Sequence, residues 1–144
     1  MAKPSKSAVA AWIALNRAQR RMFEAIESEL KSAGLPPLDW YDVLLELWRA
    51  PEGRVRQGDL EHKMLFPQYG ISRLVDRLEA ERLARRERCA DDGRAHWVII
   101  TEQGLALRHR MWPVYAAAIE RHLGQKLSDQ EAVHVAELMR KLLT

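Results

Sequence analysis

The sequence predicts a mainly α-helical chain of the α+β class, with six helices around one two-stranded ribbon. Three observations carry that prediction. Apolar residues recur at three- and four-residue spacings over most of the 144 residues. Helix punctuation is clear at Gly34, Pro36-Pro37, Pro51 and Gly53, and again at the capping box Ser128-Asp129-Gln130-Glu131. Helical spacing gives way between Leu83 and Ile100 to two short apolar-basic runs joined by an Asp-Gly turn.

The elements follow in order. Residues 8–33 form a long amphipathic helix with Trp12, Leu15, Met22, Phe23, Ile26 and Leu30 on its apolar side. Gly34 stops it, and the two prolines bar its continuation. Asp39 is a fair N-cap for a second helix whose stripe is Tyr41, Leu44, Leu45 and Trp48, widened by Leu47. An extended piece at Arg54–Gln57 leads to a third helix near Asp59–Leu65. A fourth helix begins at Pro67, since proline is tolerated in a first turn. Strands at Leu83–Cys89 and His96–Ile100 follow. Thr101 caps a fifth helix running to about His122, with Pro113 expected to kink it. The capping box opens a last helix to Leu143.

The composition excludes several classes. No apolar run approaches the ~18–20 residues of a membrane span. The N-terminal apolar patch is interrupted by Asn16 and Arg17, too early for a secretory leader. With one cysteine, Cys89, no internal disulfide forms, so the expectation is a cytoplasmic protein with no membrane partner. No catalytic set is visible: there is no GxSxG, no phosphate-cradling glycine loop and no cysteine–histidine pair with an orienting partner. The chain therefore reads as a non-enzyme with no cofactor. Its net charge of +3 is only mildly basic. The distribution says more, because residues 34–53 carry four acids against Arg49 alone, whereas residues 54–96 carry ten basic against eight acidic residues, all arginine except Lys63. Arginine suits planar contacts to phosphates and guanine edges, although many such side chains simply form surface ion pairs.

Residues 68–101 are the richest stretch. On a helical wheel Ile71, Leu74, Val75 and Leu78 share one face, with Tyr69, Ser72, Arg73, Asp76 and Arg77 opposite. One face anchored and the other presenting donors is what a helix needs to enter a major groove. Gln68, Tyr69, Ser72 and Arg73 are the base-edge candidates, and Arg77 suits a phosphate. The plain alternative is a surface helix with an Arg77–Glu81 pair. The ribbon behind it ends in a turn from which Arg94 can reach a narrow minor groove. Asp92 would support Arg94 or the turn backbone, and Arg86 on the preceding strand would add a phosphate contact. A helix and ribbon so arranged form a winged helix-turn-helix that binds double-stranded DNA. The long terminal helices lack partners for their apolar faces, which predicts a homodimer.

RQGDLEHKMLFPQYGISRLVDRLEAERLARRE resembles the helix-turn-helix and recognition helix of the MarR (multiple antibiotic resistance regulator) family. DDGRAHWVIITEQG resembles its wing, with Asp92-Gly93-Arg94 followed by the Thr-Glu-x-Gly start of the next helix. The resemblance follows the whole chain in helix order and is strongest over residues 54–104. It implies a single domain over 1–144, with residues 36–101 as the DNA-binding portion and 1–35 and 102–144 as dimerisation helices. It further implies a homodimer on a near-palindromic operator, usually a repressor, released by a small aromatic or anionic effector. Ser72, Arg73 and Arg77 fall on the recognition helix by motif position, and Arg94 at the wing tip. Phe66, Pro67 and Tyr69 stand where many relatives have small polar residues, so the operator cannot be borrowed.

An effector pocket in this architecture would lie between the first, second and fifth helices and the reading head, with Trp12, Tyr41, Trp48 and Trp112 as candidate lining residues, though aromatics at helical spacing are more often core. His62, His96, His109, His122 and His134 show no HxxxH spacing, so no metal is expected. Cys89 beside basic residues admits a thiol-responsive variant. The alternatives are that variant, a metal-responsive one assembled across helices, and a winged-helix protein-interaction module that never touches DNA.

Overall fold

The computed structural model describes residues 1–65, 70–91 and 93–144. Helix α1 spans Lys6–Ser32, opened by the Ser5 hydroxyl, which accepts the Ala8 N–H at 3.0 Å. It closes as a Schellman motif: Gly34 takes a left-handed φ of 73°, and the Leu35 N–H returns to the Leu30 carbonyl at 2.9 Å. Helix α2 spans Leu38–Arg49, starting one residue before the expected cap. Asp39 therefore lies inside the first turn and is not the N-cap. The cap comes from α1, where Glu27 Oε1 accepts the Leu38 N–H at 2.6 Å. A short 3₁₀ turn at Pro51–Gly53 leads into β1, Arg54–Arg56, and then α3, Gln57–Lys63.

Helix α4 spans Ile71–Ala80. Its N-cap, Gly70, has φ 79°, a left-handed conformation that no continuous helix crosses, so the helix does not extend from Pro67 through that position. Phe66, Pro67, Gln68 and Tyr69 lie outside the described residues. The C-terminus of α4 is a second Schellman motif, closed by Leu83 N–H to Leu78 carbonyl at 2.9 Å, with Arg82 at φ 61° where glycine is usual.

Strands β2, Ala84–Arg88, and β3, His96–Ile100, form the wing hairpin. The extended piece expected near Arg54 becomes a true third strand: β1 pairs antiparallel with β3, and the sheet order is β1-β3-β2. Arg86 lies opposite Val98, and Arg88 opposite His96. Thr101 caps α5, Glu102–Ile119, by accepting the Gly104 N–H at 3.1 Å. The helix continues through Pro113 and then widens into a π-helical turn at Glu120–Gly124. Helix α6, Asp129–Leu142, begins with the expected capping box, Ser128 and Glu131 each satisfying the other's backbone N–H. No helix among the described residues is long and apolar enough to cross a membrane.

The core lies where α2 crosses the winged-helix module. Leu44 and Leu47 of α2 pack with Leu74, Val75 and Leu78 of α4, Leu60 of α3, Val98 of β3 and Met111 of α5, all essentially without solvent exposure. The terminal helices are different. Leu30 is the one buried residue described on α1, and α6 has none. Val9, Trp12 and Ile13 on α1 and Val135, Leu138, Met139 and Leu142 on α6 are exposed.

Candidate nucleic-acid interface and effector cavity

The reading helix has the two faces that its wheel requires. Ile71, Leu74, Val75 and Leu78 are buried, whereas Ser72, Arg73, Asp76 and Arg77 are exposed. Four apolar anchors on a ten-residue helix hold its axis against the core and leave the opposite face to solvent. Arg73 forms no ion pair among the described residues. The Arg77–Glu81 pair of the plain alternative does not form there either. Arg77 instead lies near enough to Asp39 for its charge to act on that carboxyl. Burial nevertheless holds the Asp39 carboxyl above the ordinary range, against the lowering effects of the Trp40 backbone N–H and of Arg77. One Asp39 oxygen, Oδ1, is buried without a hydrogen bond among the described residues.

At the wing, the Cys89 N–H reaches the Ala95 carbonyl at 3.0 Å, extending the ladder one step past Arg88 and His96. Gly93 and Arg94 are exposed at the turn. Asp92 lies outside the described residues; its neighbour Asp91 approaches Arg56 at 3.7 Å. Cys89 is buried, which argues against ready oxidation. On the outer face of the sheet, Trp97 packs under two guanidiniums, with Arg54 at 4.1 Å and Arg56 at 5.2 Å from its ring centroid.

Arg86 departs from its expected role. It points inward, with its side chain 18 % exposed. Nε donates to Gln57 Oε1 at 2.8 Å, Nη1 to Asp76 Oδ1 at 2.6 Å and Glu79 Oε1 at 3.2 Å, and Nη2 to the Ser72 carbonyl at 2.8 Å. Its donors are spent on protein acceptors, so it is not presented to a phosphate as the sequence suggested. The strand alternation placed Arg86 on the right face, but which acceptors fold over that face is tertiary information.

Of the four aromatics expected to line a pocket, the structure brings two together. Tyr41 and Trp112 are stacked, with ring centroids 6.2 Å apart. Tyr115 meets both edge-on, at 5.1 Å from Tyr41 and 5.8 Å from Trp112. Trp48 packs elsewhere, with the Arg108 guanidinium 3.9 Å from its ring centroid, and Trp12 is 68 % exposed on the free part of α1. A cavity of about 220 Å³ opens beside the cluster, lined by Leu38, Tyr41, Asp42, Leu45, Glu46, Arg49, Lys63, Leu65 and Tyr115. Two of these, Asp42 and Glu46, are buried carboxylates. Glu46 is paired with Arg49 at 2.6 Å, and Asp42 Oδ2 accepts the Leu65 N–H at 2.6 Å. Burial, the Asp42 charge and Tyr41 together push the Tyr115 hydroxyl above the ordinary tyrosine value. Tyr115 and the two carboxylates went unnoticed in the sequence. The available signal was Tyr115 standing three residues after Trp112, on the same helical face. Among the described residues no cluster of His, Cys, Asp and Glu has the makings of a metal site.

Comparison with known proteins places this geometry. The family model described as MarR family matches residues 33–95, from the end of α1 into the wing. The HTH-type transcriptional regulator MhqR of Bacillus subtilis (strain 168) is 29 % identical over 132 residues, covering 91 % of this chain and 88 % of that protein. The fold matches Sco3205, a MarR family transcriptional regulator from Streptomyces coelicolor solved in complex with DNA, with a TM-score of 0.88 and 22 % identity over 99 % of this chain and 90 % of that one. It also matches Bordetella bronchiseptica BpsR, whose DNA binding is described as regulated by 6-hydroxynicotinic acid, with a TM-score of 0.81 and 23 % identity over 94 % and 99 % of the two chains. The chain is thus similar to the MarR family of transcriptional regulators, by the family model over residues 33–95 and in fold along nearly its whole length.

Proposed function

We propose that this chain is a cytoplasmic, homodimeric DNA-binding repressor that holds a near-palindromic operator and releases it when a small aromatic molecule binds. The observation that carries the reading is the exposed Ser72–Arg73 face of α4, anchored from behind by four buried apolar residues beside a wing that ends in exposed Arg94. Ser72 and Arg73 read base edges in the major groove, Arg77 serves a phosphate, and Arg94 enters the flanking minor groove. Gln68 and Tyr69 keep their place as base-reading candidates on sequence grounds, and Asp92 keeps its place as support for the wing.

Dimerisation rests on the uncovered apolar faces of α1 and α6, which a second copy would bury. Two recognition helices then face successive major grooves about one helical turn apart. The effector reading rests on the Tyr41–Trp112–Tyr115 cluster and its cavity, and gains support from the aromatic acid described for BpsR. Tyr115, with Asp42, replaces Trp12 and Trp48 in that role.

Fluorescence anisotropy with a duplex from the region upstream of the chain's own gene tests the reading. The logarithm of affinity should fall linearly and steeply with the logarithm of salt concentration. Arg73→Ala should cost about 1–3 kcal/mol and relax base preference, whereas Arg94→Ala should weaken A/T-flanked sites most. Salt-independent or absent binding would overturn it. Sedimentation at micromolar concentration should show a dimer.

A further inference from the structure

We infer that Arg86 is a positioning residue for operator recognition: it locks the wing to the recognition helix and contacts no DNA itself. The inference rests on the DNA-binding reading above. A planar guanidinium carries five N–H donors in a fixed fork. Here the fork ties its own strand to two helices at once. Nε holds Gln57 at the start of α3. Nη1 holds Asp76 and Glu79 on α4. Nη2 holds the Ser72 carbonyl and lies 3.5 Å from its hydroxyl, one residue from Arg73. The Arg86 backbone N–H adds a bond to Glu79 Oε2 at 2.9 Å.

These bonds fix an angle as well as a contact. Ser72, Asp76 and Glu79 lie along one edge of α4, so a single rigid plane grips that helix at three points along its length. The same residue belongs to the strand that leads out to the wing turn. Arg73 and Arg94 thus meet DNA as parts of one body. To reach a phosphate, the Arg86 side chain would have to leave every one of these acceptors. Several charge-assisted bonds to one largely buried guanidinium oppose that exchange.

The test is anisotropy titration of the full-length protein against its upstream duplex and a scrambled duplex, across a salt series. The variants are Arg86→Gln, Arg86→Lys, and Arg73→Ala and Arg94→Ala, singly and together, in both wild-type and Arg86→Gln backgrounds. A positioning role predicts a fall of roughly tenfold or more in the operator-to-scrambled affinity ratio for Arg86→Gln, with the salt slope unchanged to within about half a unit. It predicts that Arg86→Lys, which keeps the charge but not the fork, does not restore the ratio. It also predicts that Arg73→Ala and Arg94→Ala are non-additive in the wild-type background and become additive once Arg86 is removed. A slope lowered by about 1.8, one contact in each protomer of the dimer, and restored by lysine would make Arg86 a phosphate contact and overturn the proposal. An unchanged ratio in Arg86→Gln would also overturn it. If that variant does not fold, Gln57→Ala removes one arm of the grip alone; it should lower the ratio in the same direction at constant slope, and an unchanged ratio there refutes the role. If the wild type itself shows no salt-dependent binding, the DNA-binding reading falls and takes this proposal with it, whereas normal wild-type behaviour with an indifferent Arg86 defeats the proposal alone.

Discussion

Gly104→Ala tests how tightly the wing is seated on the flanking helices. Gly104 lies in the first turn of α5, directly behind the strand that begins the wing. A Cβ added there would sit 2.1 Å from the Leu83 carbonyl oxygen, 2.9 Å from Ile100 Cγ1 and 3.2 Å from Leu44 Cδ2. The first contact is with backbone, so it is relieved only by moving α5 and the β2 entry apart by roughly 1 Å, given ordinary van der Waals contact. That shift strains the Thr101 N–H bond to the same carbonyl, 3.2 Å long, and opens the packing at Ile100 and Leu44. Overpacking of this kind costs about 1–3 kcal/mol, and a weakened hydrogen bond adds about 1 kcal/mol. Alanine's better helix propensity returns about 1 kcal/mol. The net expectation is a loss of about 1–3 kcal/mol, or roughly 3–12 °C in melting temperature for a chain of this size. Gly58→Ala is the matched control. Gly58 lies in α3 with nothing within 4 Å of its added Cβ, so the same substitution should stabilise by up to about 1 kcal/mol. Circular dichroism at 222 nm through a thermal scan reads both. If Gly104→Ala melts at or above the wild type, the close approach of α5 to the wing is wrong.

Three further outcomes follow from single residues. Arg82→Gly should stabilise by up to about 1 kcal/mol in urea denaturation, because φ 61° at the end of α4 strains any side-chain-bearing residue; a loss beyond 1 kcal/mol would mean the arginine side chain contributes more than its backbone costs. Glu27→Ala leaves the Leu38 N–H without its carboxylate and should cost about 1–3 kcal/mol by the same assay, where a neutral result would mean that water replaces the cap. Asp39 has a folded pKa above its unfolded value, so the folded state binds more protons and stability falls as pH rises from about 3.8 through the raised value. Asp39→Asn should flatten that fall, as seen in melting temperatures compared at pH 4 and pH 7; an unchanged slope would place the charge in water.

What was legible in the sequence was local. The buried and exposed faces of α4 follow from residues three and four apart, and the α6 capping box spans four consecutive positions, so neither needs knowledge of the fold. The errors share the opposite property. Asp39 looked like a cap because it follows two prolines, but the real cap, Glu27, is eleven residues back across the turn. Pro67 is permitted at a helix start, yet Gly70 adopts a left-handed conformation and moves the start to Ile71. Arg86 alternates correctly on its strand, but its acceptors come from α3 and α4. The short run at Arg54 became a strand only because β3 lies alongside it. In the aromatic cluster, Tyr41 and Trp112 were visible as candidates, but their meeting with Tyr115 depends on α2 and α5 crossing.

That crossing gives the proposed effector response a physical route. Helix α2 serves two sites at once. Tyr41 stacks against α5 at the cavity, and the next residue, Asp42, holds the Leu65 N–H beyond the end of α3. Leu44 and Leu47 on the same helix share one core cluster with the anchors of α4. A ligand that moves Tyr41 therefore pulls on the connection from α3 toward the recognition helix. A ligand shifts DNA affinity only by the difference in its own affinity for the two arrangements. Filling the cavity is therefore not sufficient for release. A small aromatic that binds without disturbing the Asp42–Leu65 bond should raise the melting temperature yet leave the operator bound, and one that competes for the Asp42 carboxylate should do both. Asp42→Asn separates the two effects, because it weakens the link to Leu65 and leaves the Tyr41–Trp112–Tyr115 cluster in place.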